Sequence, residues 1–236
     1  MSYKGYNVLA VIPARGGSKG IPRKNLCKAG GISLVARAVK FTKALMWIDR
    51  IVLSTDDREI AEEGRKYGAE VPFLRPLELA GDTSKSVDVW CHALVEAEKY
   101  YSTSFEISIL LEPTSPFREP RHVEEVVKKL VEGGYDSVLT VSETDSKNHP
   151  LKQIVIKDNR VGYYDEAGKD IIARQQLTPV YHRNGAAYAV MRKCLVDQKM
   201  IIGSNPSAVI IDEPLVNIDT EQDLKIATCF FLQEDS

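Results

Sequence analysis

Continuous apolar runs of strand length alternate along this chain with stretches in which apolar residues recur at helical spacing. The run Asn7–Ile12 is apolar without alternation and stops at Pro13, which predicts a central strand covered on both faces. Ser33 stands before Leu34, Val35, Ala38, Val39 and Phe41, the pattern of a capped amphipathic helix, and Arg50–Ser54 follows as another buried strand. Together they predict a βαβ unit with parallel strands. The alternation continues with helices near Asp57–Tyr67 and Val87–Tyr101, a strand at Ile107–Leu111, a helix at His122–Glu132 and a strand at Ser137–Val141. The class expected from this period is a doubly wound α/β sheet.

From about Glu143 to Tyr181 the pattern weakens. Polar segments, a short β-like stretch at Gln153–Ile156 and the turn Asp158–Asn159 replace long amphipathic helices, which reads as an excursion from the layered fold. Alternation returns with a strand at Ala186–Val190, a short helix from Arg192, a strand at Ala208–Ile211 and a last helix from Thr220, capped against Asp223. Neither an internal repeat nor a low-complexity linker interrupts the chain, so residues 1–236 read as one domain.

Composition narrows the classes of function. The 44% hydrophobic content excludes a disordered or collagen-like chain, because it is enough to bury roughly 70–75% of the unfolded surface. A net charge of −2 gives no field that would gather DNA or an anionic membrane, so neither is an expected partner, while a local basic patch can still meet a small anion. Cys27, Cys91, Cys194 and Cys229 form no CxxC pair and have no His at metal-ligand spacing, so they are expected to be buried small apolar residues. The short apolar run near the start lacks a leader's cleavage region and no run approaches a membrane span, giving a cytoplasmic expectation.

The most concentrated chemistry lies in IPARGGSKGIPRKN, residues 12–25, directly after the first strand. Arg15, Lys19, Arg23 and Lys24 have no acid among them. Gly16 and Gly17 permit close backbone approach and Ser18 adds a hydroxyl, a set suited to a polyphosphate. Open α/β sheets bind ligands beyond the carboxyl ends of their strands, which is where this loop begins. It matches neither GxxxxGK[ST] nor GxGxxG, so the two most familiar phosphate motifs are excluded. By spacing alone it is also readable as a solvated basic turn.

Two further clusters stand at element ends. In LLEPTSPFR, residues 110–118, two prolines preset a loop that carries Glu112, Thr114, Ser115 and Arg118; turn chemistry alone would also account for Pro113 and Pro116. In Asn217–Thr220, alternation points Asn217 and Asp219 the same way. That suits a hard cation held by a carboxylate and an amide, or equally an N-cap before the last helix.

Taken together and in order, IPARGGSKGIPRKN, STDD, FLRPLELAGDTS, LLEPTSPFR, HPLK, RQQLTPVYHRNGAAY and NIDTEQDL span nearly the whole chain. This set resembles the acylneuraminate cytidylyltransferases, or CMP-sialic acid synthetases. The resemblance implies a Rossmann-like, glycosyltransferase-A-like nucleotidyltransferase fold with a mainly parallel sheet. It implies a reaction in which CTP and a nine-carbon 2-keto sugar acid give the CMP-sugar and pyrophosphate, with Mg²⁺ and a homodimer. Its implied CTP contacts are Arg15, Gly16, Gly17, Ser18, Lys24 and Asn25 at the phosphates and Arg75 and Ser86 at the cytidine end. Arg15, Lys24 and Asp219 would serve the chemistry, and Asp219 with Asn217 the metal. Glu112, Thr114, Ser115, Lys152, Asn184 and Tyr188 would line the sugar site. The excursion, 143–181, would be a dimerisation arm whose Arg174 reaches the partner's site.

Departures accompany the resemblance. Sialic acid enzymes commonly carry Gln where this chain has Glu112, so an amide that can donate becomes a carboxylate that only accepts when ionised. Met200–Gly203 lies near where some relatives place aromatic residues against the N-acyl group, and Asn217 stands where many members have Asp. Rival substrates are legionaminate, pseudaminate, KDN and the eight-carbon KDO. A CTP-binding module without catalysis is the rival of another class.

Overall fold

A computed structural model describes residues 3–234, so the outermost residues of the expected 1–236 unit lie outside the described residues. β1 (Val8–Pro13) is the first apolar run, with Val8 to Ile12 wholly buried. A small hairpin, β2 (Lys28–Ala29) and β3 (Ile32–Ser33), leads into α1 (Leu34–Ala44), where the Ser33 side chain accepts from the Ala36 N–H as a cap. β4 (Arg50–Ser54) and α2 (Arg58–Tyr67) follow, and Asp57 caps α2 through the Ile60 N–H. Next come α3 (Ser86–Tyr101), β5 (Ile107–Leu110), α4 (Pro120–Glu132) and β6 (Ser137–Glu143).

α4 begins two residues before the predicted start. Pro120 occupies its first turn, where a missing N–H costs nothing, and the Glu119 N–H donates to His122 Nδ1. The excursion holds the exposed antiparallel hairpin β7 (Ile154–Lys157) and β8 (Arg160–Tyr163), turning through Asp158 and Asn159 at positive φ as expected of that pair. β9 (Tyr181–Met191), α5 (Arg192–Val196), β10 (Pro206–Ile210) and α6 (Glu221–Glu234) complete the order. The predicted cap of α6 is reciprocal: Thr220 N donates to Asp223 Oδ2 at 2.8 Å and Asp223 N to Thr220 Oγ1 at 3.2 Å.

The main sheet has the order β10-β6-β9-β5-β1-β4. β1 pairs in parallel with β4 and β5, and β10 with β6, while β9 runs antiparallel to both β5 and β6. The expected mainly parallel sheet is therefore present with an inserted reverse strand. Periodicity gave this strand as Ala186–Val190; it is longer, Tyr181–Met191, because its polar first half pairs with the end of β6. It returns from the excursion with no crossover helix, so it starts beside the carboxyl ends of β5 and β6 and runs back between them. One face buries Leu9, Val11, Trp90, Leu94, Leu110 and Val190, with α3 against it; the other buries Ala10, Ile109, Val123, Val127 and Leu130 against α4. Cys91 and Cys194 are buried as expected, whereas Cys229 is exposed and Cys27 half-buried, being on the outer helix α6 and the loop at its foot.

Candidate active site at the switch point of the sheet

The chain leaves β1 first toward β4 and later toward β5, on opposite sides, so the carboxyl ends of β1 and β5 form the switch point where open α/β sheets bind ligands. A cavity of about 440 Å³ opens there. Arg15, Ser18, Lys19, Gly20, Lys24 and Asn25 from the loop after β1 line one wall. Arg75, Asp82, Ser84, Ser86, Glu112, Thr114 and Asp219 face them. Arg15, Ser18, Lys24, Asn25, Arg75, Ser86, Glu112, Thr114 and Asp219 are thus brought together from separate sequence clusters.

The basic loop is sorted by its partners. Buried Asn25 donates to the Arg15 carbonyl at 2.9 Å and fixes the turn. Arg23 is drawn away, its guanidinium forked onto Asp57 at 2.7 and 3.2 Å. Lys24 Nζ donates to Asp219 Oδ1 at 2.9 Å and to the Ile218 carbonyl at 3.0 Å, joining the loop to the last β–α connection. Gly20 makes that approach possible, since a Cβ there would stand 2.5 Å from the Asp219 carbonyl oxygen. The expectation that Gly16 and Gly17 offer amides to phosphate needs correction: neither lines the cavity, and the Gly16 N–H is taken by Asp56 at 3.0 Å.

Asp82 crosses the cavity to Arg15 and Lys19, at 3.0 Å from each. Lys19 first, then Arg15, holds its carboxyl below the ordinary range. Arg75 is buried, and its guanidinium donates to Ser54 Oγ at 3.1 Å and to the Ser54 carbonyl at 2.6 Å. Burial, with the Arg15 charge adding to it, lowers its pKa to about 10, so it remains charged at neutral pH.

Glu112, just past β5, makes no side-chain hydrogen bond among the described residues. Burial pushes its carboxyl above the usual range and Asp219 adds to this, while Arg118, Lys24 and Arg183 oppose it. Arg118 beneath it is buried and holds the loop through the Glu112 and Ser115 carbonyls, the latter at 2.8 Å. Ser115 Oγ reaches the Asn184 carbonyl at 3.5 Å and Asn217 Oδ1 at 3.4 Å. Gly185, at φ 74°, fits between: a Cβ would lie 2.7 Å from Ser115 Oγ and 3.2 Å from Glu112 Oε2.

Beyond this seam a second cavity of about 450 Å³ is lined by Glu143, His182, Arg183, Asn184, Asp212, Glu213 and Asn217. Asn184 is buried and rigid, accepting from Thr140 Oγ1 at 2.6 Å and donating to Ser142 Oγ at 3.0 Å. Asn217 and Asp219 are both exposed on either side of buried Ile218, the same-way pointing expected of them, with Asn217 lining this second cavity and Asp219 the first. The backbone there belongs to no regular strand. Among the described residues no three His, Cys, Asp or Glu side chains form a metal cage. Asp219 offers an exposed carboxylate beside Lys24, a donor that suits a cation keeping water and phosphate as its other ligands.

Tyr188 lies in the core below the seam, its phenol raised to about 12 by burial and by Glu112. Lys152 and Arg174 are exposed on the excursion and line neither cavity. Asp82, Gly20 and Arg183 were not assigned from sequence. Asp82 and Arg183 stand inside the motifs FLRPLELAGDTS and RQQLTPVYHRNGAAY, but nothing in the spacing shows that either faces a cavity.

Fold and site define a nucleotide-binding α/β protein, with its cations at the switch point and acids opposite them. The chain belongs to the cytidylyltransferase family, whose model matches residues 9–214. It is 30% identical over 228 residues to post-translational flagellin modification protein B of Campylobacter coli, covering 96% of this chain and 95% of that protein. It is 33% identical over 217 residues to CMP-N,N'-diacetyllegionaminic acid synthase of Legionella pneumophila, covering 91% and 90%. A solved structure of CMP:2-keto-3-deoxy-manno-octonic acid synthetase complexed with CTP shares its fold, with a TM-score of 0.70, 17% identity, and 97% and 99% of the two chains covered. No helix among the described residues is long and apolar enough to cross a membrane.

Proposed function

We propose that this cytidylyltransferase transfers CMP from CTP to the anomeric hydroxyl of a nine-carbon 2-keto sugar acid and releases pyrophosphate. The observation that carries this reading is the cavity at the switch point, which sets Arg15, Ser18, Lys19 and Lys24 against Glu112 and Asp219. Arg15 and Lys24 hold the phosphates, where charge-assisted hydrogen bonds are strongest. Arg75 and Ser86 mark the cytidine end. Glu112, Thr114, Ser115 and Asn184 lie along the seam through which a sugar would approach the α-phosphorus.

The hydroxyl attacks in line: a bond forms from the anomeric oxygen to the α-phosphorus, and the bond to pyrophosphate breaks. Its proton passes to water beside the Asp219 carboxylate. Positioning and charge stabilisation carry most of the acceleration, because a phosphoryl group needs little covalent help from the protein. Mg²⁺ fits the oxygen donor at Asp219, where it would offset charge on the leaving pyrophosphate. Lys24, now on Asp219, would then turn toward the phosphates.

The sugar is a nonulosonate, N-acetylneuraminate or a relative; the likeness to a diacetyllegionaminate synthase supports testing legionaminate first among the alternatives. A homodimer through the excursion is part of the reading. Ile156 is 71% exposed and Ile172 91% exposed there, apolar surface that a second copy would cover. Sedimentation of the wild type and of Ile172→Asp tests it, and a wild-type monomer would refute it.

The activity test is pyrophosphate release from CTP and Mg²⁺ with N-acetylneuraminate, KDN, legionaminate, pseudaminate and KDO in parallel, with ATP, GTP and UTP as controls. CTP-dependent release with a nonulosonate is the expected result. CTP protection against melting without release would make the chain a binding module.

A further inference from the structure

Arg183 sits on β9 opposite Val141, where the pairing with β6 shifts register between Leu139 and Val141. Such an irregularity bends a strand and re-aims its side chains. On the C-terminal side, Asn184 is clamped by Thr140 and Ser142, and Gly185 holds a positive φ. The backbone under Arg183 is therefore fixed while its side chain is exposed and lines the second cavity.

Among the described residues the Arg183 side chain makes no hydrogen bond and no ion pair. Glu143, Asp212 and Glu213 line the same cavity, yet none stands at ion-pair distance from it, and Glu213 is engaged by Arg121. Arg183 lines this cavity together with Asn184 and Asn217 of the seam, and its charge opposes the rise that burial gives the Glu112 and Tyr188 pKa values. An unengaged planar fork at this place suits a carboxylate, which it can bind through two parallel hydrogen bonds. A ligand carboxylate entering beside Glu112 also requires a nearby cation, because two desolvated anions repel. The phosphate cations line the other cavity, and Lys152 and Arg174 line neither.

We propose that Arg183 binds the carboxylate of the sugar acid at the seam between the two cavities. This rests on the cytidylyltransferase reading given above. Arg183 then orients the anomeric carbon toward the nucleotide, with Glu112 accepting from a hydroxyl or N–H of the same sugar.

The experiment compares wild type, Arg183→Gln and Arg183→Lys with the sugar acid that the wild type uses, at saturating CTP, and measures the CTP dissociation constant separately without sugar. Loss of one charge-assisted contact should raise the sugar KM about 10- to 150-fold in Arg183→Gln. The CTP constant should stay unchanged, and Arg183→Lys should recover part of the loss. The C1 amide of the same sugar should show no difference between wild type and Arg183→Gln. An unchanged sugar KM in Arg183→Gln overturns the proposal and leaves the enzymatic reading standing. CTP binding weakened by the same factor assigns Arg183 to phosphate and overturns it as well. Silence of the wild type with every sugar acid in the panel overturns both.

Discussion

Lys24 is held at its amine by Asp219 and by the Ile218 carbonyl, and Arg15 at its guanidinium by Asp82. Both are cations already oriented into the cavity, with their charges balanced by groups a triphosphate can replace. If each makes a hydrogen bond to phosphate worth about 1.5–3 kcal/mol, Arg15→Ala and Lys24→Ala should each slow CTP turnover about 10- to 150-fold. Pyrophosphate release at subsaturating CTP measures this, and wild-type rates in both variants would remove the phosphate assignment. Glu112 makes a different prediction. Its folded-state pKa is raised by burial and by Asp219, so the folded chain holds this proton to higher pH than the unfolded one. The associated stability is full below the ordinary glutamate value of about 4.3 and is lost as pH rises through the raised value. Glu112→Gln imitates the protonated carboxyl, so the variant should melt above wild type at neutral pH and the two curves should converge in acid. A constant gap from pH to pH would show that Glu112 does not titrate as described. In turnover, the same swap should alter preference among sugars more than affinity for CTP, since the Glu112 carboxyl has no hydrogen bond to lose among the described residues.

At the scale of elements, the site depends most on β9. Gly185 lets its backbone pass between Ser115 and Glu112, and an alanine there meets both a positive φ and a Cβ 2.7 Å from Ser115 Oγ. Gly185→Ala should therefore cost more than about 1 kcal/mol, read as a lower melting temperature, and should impair sugar use more than CTP binding. Equal loss for both ligands would mean that the loop after β1 depends on β9, which the contacts do not show. Three helices were legible because they carry their own start signals: Ser33, Asp57 and the Thr220–Asp223 pair cap α1, α2 and α6. β9 was legible only as an apolar run, since its polar first half, Tyr181–Asn184, has no strand period and is extended by pairing with β6. The direction of a strand is likewise absent from a period of two, so the antiparallel insertion had no local signal.

Across the whole molecule, the sequence showed which loops carry chemistry but not which groups face each other. Lys24 and Asp219 are 195 residues apart and Ser115 and Asn217 are 102 apart, and nothing local encodes either contact. The net charge of −2 is similarly silent about where charge stands. Asp82 shows why placement decides: it balances Arg15 and Lys19 across the mouth of the cavity, so an entering triphosphate competes with it for the same cations. Removing its charge should therefore help the ligand. Asp82→Asn should bind CTP about two- to fivefold more tightly, the range of one exposed ion pair, and the gain should shrink as salt rises. Glu132→Gln changes net charge by the same amount at a surface pair with Lys4, away from both cavities, and should leave CTP binding as it is. Equal gains in the two variants would mean that total charge governs nucleotide binding. A gain confined to Asp82→Asn would mean that a local ion pair does, because across a Debye length of about 8 Å at physiological salt a distant charge is screened while one facing Arg15 is not.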